Sequence, residues 1–185
     1  MAKIGVQNFL YGILTESGTT ATYGAGQKPG KAVSCNVSIS SNDAKLYADD
    51  SLAESDTSFQ SGTVSMELDN ADITTQATLL GHTVTNDEMI RKATDVAPYV
   101  ALGRIVTKMV GGTYEYKVEF LSKVKFSEPS QEDTTKGESV EFGTTTLEGI
   151  VSTLADGTWS KTKTFTTIAD ARTYLEGLFG STPSA

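Results

Sequence analysis

Between Thr113 and Phe126, Tyr114, Tyr116, Val118, Phe120, Val124 and Phe126 fall on one parity, and Glu115, Lys117, Glu119, Lys123 and Lys125 on the other. Strict alternation over so many residues fits only an extended strand, because successive side chains of a strand point to opposite faces. At about 3.3 Å per residue such a strand runs on the order of 40 Å, longer than a small globular sheet normally uses. It also comes back on a partner. Tyr99 to Val110 is apolar and extended, and Gly111-Gly112 supplies the positive-φ positions of a tight turn, so 99–126 reads as a hairpin. A strand this long suggests a wall, not a catalytic cradle.

The remaining pattern is mostly β. Residues 3–14 are extended, followed by a glycine-rich loop from Thr15 to Lys31. Val33, Cys35, Val37 and Ile39 alternate with polar residues, placing Cys35 on the core side of a half-buried strand. Val64, Met66 and Leu68 alternate likewise. Asp72 is placed to cap a short helix over Ile73 to Leu80, which Gly81 stops. Ser139 to Thr146 is extended again, Ile150 to Leu154 is expected to pair with Thr158 to Phe165 across Asp156-Gly157, and Ile168 to Leu178 has helical spacing. The 185 residues, 38% of them hydrophobic, suit a single domain. Within it, 43–62 and 127–137 read as exposed loops, and 1–31 and 181–185 as flexible arms.

The formal charge of -8 is regional. Residues 43–72 hold eight acids against Lys45, and residues 127–157 hold seven against Lys136. A basic groove for nucleic acid is therefore not expected, since that affinity comes from neutralising phosphates. Cys35 is the only cysteine, so neither an intrachain disulfide nor a thiolate metal site follows. No apolar run reaches the roughly 20 residues of a membrane helix or resembles a secretion signal, and the Asn36-Val37-Ser38 sequon is read as incidental.

Chemistry-bearing motifs fail on their details. The loop Gly24-Ala25-Gly26-Gln27-Lys28-Pro29-Gly30-Lys31 lacks the glycine and hydroxyl positions of a phosphate loop, and no helix follows it. His82 is the single histidine, and its place after Gly81 favours a surface or capping role. Asp49, Asp50, Glu54 and Asp56 lack the order and central glycine of a calcium loop. No catalytic residue, cofactor or metal is expected.

Several segments carry a resemblance: Lys3-Ile4-Gly5, Leu46-Tyr47-Ala48-Asp49-Asp50, Leu79-Leu80-Gly81-His82, Asp95 through Gly103, and Lys125-Phe126-Ser127-Glu128-Pro129 continuing through Lys136 to Phe142 and Thr146-Leu147-Glu148-Gly149. In order and spacing the chain resembles the phi13-type major tail proteins of long-tailed bacteriophages. The resemblance implies a tail-tube β-sandwich or half-barrel with one short flanking helix, a short C-terminal helix and long inter-subunit loops. It also implies homohexameric rings stacked into a tube, capped by terminator and distal tail proteins and filled by a tape measure protein. Viral DNA would cross the bore unbound. The subunit would be made in the bacterial cytoplasm and reside in the virion, with no membrane partner.

On that reading Glu115, Lys117, Glu119, Lys123 and Lys125 are candidates to line the lumen, although the three lysines sit awkwardly in an acidic wall, and an exterior placement stays open. Asp49, Asp50, Glu54, Asp56, Glu128, Glu132 and Asp133 are candidates for contacts between subunits or rings. The terminal helix is expected to lie as a lid on the sheet. An adhesive or carbohydrate-binding β-sandwich module is the alternative, and a carboxylate-based hydrolase comes third.

Overall fold

A computed structural model describes residues 2–48, 51–69, 72–130 and 144–180. Its architecture is mainly β, as expected, with antiparallel pairing throughout and two short helices. The central hairpin is present as read: β9 (Val100–Val110) and β10 (Thr113–Phe126), joined by Gly111 and Gly112 at φ 57° and 84°. Around it the main sheet also takes in β1 (Ala2–Ser17), β2 (Thr20–Tyr23), β3 (Ala32–Ser41), β6 (Phe59–Leu68), β11 (Thr145–Val151) and β12 (Ser160–Phe165), in the order β2-β1-β9-β10-β11-β6-β3, with β12 beside β10.

β10 is the branch point. Its first half, Tyr116 to Leu121, pairs with β12, and its last three residues pair with β11. The chain thus turns from one layer into a second, and β3 at the far end comes alongside β1 without backbone pairing. Between the layers lies one core, containing Phe9, Tyr11, Met66, Leu68, Leu102, Leu121, Val124, Phe126 and Leu147. It is sealed by Leu79 and Leu80 of α1 (Ile73–Leu80). A second core lies on the opposite face of β1, β9 and β10, where Leu10, Ala101, Ile105, Val118 and Phe120 are covered by Ala171 and Leu175 of α2 (Ile168–Gly177) and by Phe179. The lid expected of the terminal helix is this second layer.

The start of α1 follows its sequence signal, and the start of α2 carries a cap of the same kind. The Asp72 carboxylate accepts from Thr75 N, and the Thr167 hydroxyl accepts from Asp170 N. Gly81, at φ 79°, ends α1 with its N–H on Ala77 O.

Four expectations are corrected. Residues 2–31 are not a flexible arm: β1 pairs with β9 over Ala2–Ile13 and with β2 over Leu14–Ser17, and Gln27 pairs with Tyr11 through both backbone bonds at 2.8 Å. The 43–62 segment is not a loop: it contains β4 (Ala44–Ala48), β5 (Ser51–Asp56) and the start of β6. Ser41 pairs with Phe59 and Ala44 with Asp56, so β4 and β5 prolong the β3–β6 hairpin into an arm. Its polar composition misled because a two-stranded ribbon has no core to bury and needs no apolar parity. β11 and β12 form no ladder with each other: across Asp156-Gly157 only Leu154 N donates to Thr158 O, at 2.9 Å, and the two strands flank different parts of β10. The fourth correction concerns β10 itself and decides where its charges point. The reading of 181–185 lies outside the described residues.

Candidate assembly surface and its charged clusters

The alternation in β10 predicts one charged face, yet a bulge divides it. Leu121 stands opposite Leu102, and Val124 opposite Val100, so Ser122 and Lys123 share one partner position. One extra residue reverses the faces of everything beyond it. Val118 and Phe120 therefore pack under α2, whereas Val124 and Phe126 pack in the inter-layer core. Glu115, Lys117 and Glu119 share the inter-layer face with Arg104; Lys123 and Lys125 lie on the opposite one. The five residues expected to line a single surface form two groups on two faces.

The first group is a compact ion cluster. Arg104 Nε and Nη2 both donate to Glu119 Oε2, Lys117 Nζ donates to Glu119 Oε1, and Arg104 Nη1 reaches across to the Cys35 carbonyl of β3 at 3.1 Å. Burial pushes the Glu119 carboxyl up, but the Lys117 hydrogen bond and the Arg104 guanidinium outweigh it and leave the group below its ordinary value. The chemistry is that of a clamp, since Arg104 joins the two layers where no backbone pairing does. Cys35 beside it is half-buried, and burial raises its thiol pKa, as befits a core residue and not a nucleophile. Beyond Arg104 the layers part, leaving a cavity of about 340 Å³ lined by Ile4, Val6, Val33 and Cys35. Ile4 and Val33 are about half exposed there.

In the second group Lys123 pairs with Glu16, and the ammonium groups of Lys123 and Lys125 stand 4.6 and 5.3 Å from the Tyr99 ring centroid. Two of the three awkward lysines are thus held on a different surface from Glu115 and Glu119.

The expected contact acids divide as well. Asp56 is exposed at the root of the β4–β5 arm, where it accepts from Ser58 N and Asn42 Nδ2, and these bonds hold its carboxyl below the usual range. Asn42 N donates to Ser58 O and closes the root. Glu54 lies in β5 opposite Leu46. Asp49, Asp50, Glu132 and Asp133 lie outside the described residues.

Glu128 is engaged with His82, whose expected capping role holds for its backbone while its side chain is not at the surface. His82 does cap α1, its N–H on Ala77 O at 2.9 Å, but its side chain is only 5% exposed. Nδ1 meets Asp95 Oδ2 at 2.8 Å and Nε2 meets Glu128 Oε1. Hydrogen bonding to Asp95, and then to Glu128, raises the imidazole above 6.5 against the opposing effect of burial; the same bond lowers Asp95. Sequence carries no signal for this contact, because 46 residues separate the histidine from Glu128.

β3 ends the main sheet, and its outer edge has no strand partner among the described residues. Its sequence, Ala32 to Ser41, has neither charge nor proline. β2, at the opposite end of the order, is likewise uncharged over Thr20–Tyr23, whereas β12, an edge strand beside β10, presents Lys161 and Lys163, both exposed. Charged edges resist strand addition and bare ones invite it. Among the described residues, no group of His, Cys, Asp and Glu side chains could hold a metal ion, and no helix is long and apolar enough to cross a membrane. Comparison with protein-family models and with curated proteins finds no match to this chain.

Proposed function

We propose that this chain is a structural subunit that builds a tube: a phage tail-tube protein assembling as hexameric rings stacked around a bore that DNA crosses. The observation that carries this reading is the outer edge of β3, which has no strand partner among the described residues apart from the reach of Arg104 to the Cys35 carbonyl, and which runs on through β4 and β5 as an arm. A neighbour's strand added to that edge would pair its free backbone groups, and a head-to-tail contact of this kind closes into a ring. β12, with its lysines, is poorly suited to receive a strand.

The arm and the acidic segment after Phe126 would then serve contacts between subunits and rings. Tape measure, terminator and distal tail proteins would be the further partners, and the virion the final location. The subunit's charge of -8 is multiplied sixfold in a hexamer, which favours passage of DNA over adhesion. Of the β10 acids, Glu115, separated by the bulge from Lys123 and Lys125, is the one left to serve a bore, since Arg104 and Lys117 hold Glu119 in the inter-layer clamp.

Negative-stain microscopy of the pure protein at rising concentration tests the reading, with rings or hollow tubes expected. The double substitution Asn36→Lys and Ser38→Lys puts charge on the exposed face of the edge strand and should leave a folded monomer that forms neither. Monodisperse wild-type monomers at every concentration and salt, or tubes from the double variant, would overturn it.

A further inference from the structure

Three parts of the chain meet at His82. The first is the end of α1, where Gly81 packs so closely that a Cβ would stand 2.2 Å from Val96 O. The second is the turn from Lys92 to Asp95, closed by Asp95 N on Lys92 O at 3.0 Å and by Lys92 N on Asp95 Oδ2 at 2.9 Å. The third is the end of β10, where Ser127 N donates to Glu148 O and Glu128 reaches the ring. The charged groups around the imidazole are Asp95, Glu128 and Arg91, whose Nε lies 3.9 Å from Glu128 Oε2. Lys92 follows Arg91 on that turn, and the neighbouring hairpin of β7 (Thr83–Thr85) and β8 (Glu88–Ile90) adds Asp87 and Glu88, both exposed.

A carboxylate only accepts hydrogen bonds, and a neutral imidazole has one N–H to give. Satisfying Asp95 and Glu128 together therefore requires the imidazolium. We propose that His82 is a proton-operated latch, which as the cation fastens the start of the acidic segment at Glu128 to the Asp95 turn and on losing its proton lets Glu128 go.

The choice of which carboxylate leaves follows from their surroundings. Asp95 is 14% exposed and also holds Lys92 N, so it keeps Nδ1–H. Glu128 is 53% exposed and can turn to water, whereas staying would set its oxygens against the lone pair of Nε2. Release frees the carboxylate and the Glu128–Ser130 backbone while Ser127 stays tied to Glu148. The latch concerns the folded subunit itself, so it stands or falls independently of tube formation.

Long-range proton–nitrogen NMR of the histidine, with amide exchange over 127–130 corrected for intrinsic rates, tests this in the full chain. Both ring nitrogens should carry protons at pH 6.5. Above the imidazole's midpoint the Nδ1–H tautomer should remain, and protection at 128–130 should fall with that same midpoint. Glu128→Gln, a surface change that preserves the fold, should move the midpoint down and abolish the pH dependence of protection. A neutral ring at pH 6.5, protection indifferent to the titration, or the same pH dependence in Glu128→Gln would each overturn it.

Discussion

At the scale of the residue, Arg104 does what backbone pairing does elsewhere. Its guanidinium is 12% exposed and Glu119 is 16% exposed, so the pair sits in a poorly solvated place and each group depends on the other. Arg104→Met would strand Glu119 with Lys117 alone and leave the Cys35 carbonyl without its donor, a loss of roughly 1–3 kcal/mol by the usual cost of an unsatisfied polar group. Urea unfolding at neutral pH measures it. The folded Glu119 carboxyl titrates below its unfolded value of about 4.5, so the cluster's contribution is present above that value and is lost as pH falls through the folded one. Wild type should therefore lose stability on acidification more steeply than Glu119→Gln, in unfolding series compared at matched salt. For His82 the sign is the reverse: with a raised value, its contribution is present below 6.5 and is lost as pH rises through the folded titration.

At the scale of the element, β10 shows what alternation reveals and what it hides. Its limits, its hairpin and its charged residues are all legible between Gly111 and Ser127. The face each residue occupies is not, because the same parity serves the α2 core before Ser122 and the inter-layer core after it. A sign of the change is nevertheless present: Leu121 is apolar on the charged parity, and Ser122 is polar on the apolar one. Two adjacent exceptions mark the extra residue of a bulge. Deleting Ser122 would restore the register and turn Val124 and Phe126 away from the inter-layer core, and loss of cooperative folding, read by near-ultraviolet circular dichroism and urea titration, is the expected result. The seat of α2 is less legible still. Leu175 lies over Gly103 so closely that a Cβ there would stand 2.4 Å from its Cδ1, a long-range contact that no local pattern announces. Gly103→Ala should cost about 1–3 kcal/mol as the leucine is forced aside.

At the scale of the molecule, the arm is the part whose existence the subunit alone does least to explain. β4 and β5 pair only with each other among the described residues, and an isolated two-stranded ribbon is marginal in water. Its root is fastened at three points: Asn42 N donates to Ser58 O, and the Asp56 carboxylate accepts from Asn42 Nδ2 and Ser58 N. Replacing residues 45–55 by a short glycine-containing turn removes the ribbon and leaves the β3–β6 pairing intact. Because β4 and β5 pair only with each other among the described residues, the midpoint of urea unfolding should change little. On the proposed tube reading, the shortened chain should not assemble, even at high salt, where screening would weaken repulsion between subunits. Sedimentation velocity of the shortened chain beside wild type separates the outcomes: a stable monomer that never assembles assigns the arm to subunit contacts, whereas tubes from the shortened chain would show that β3 alone suffices and that the arm serves another partner.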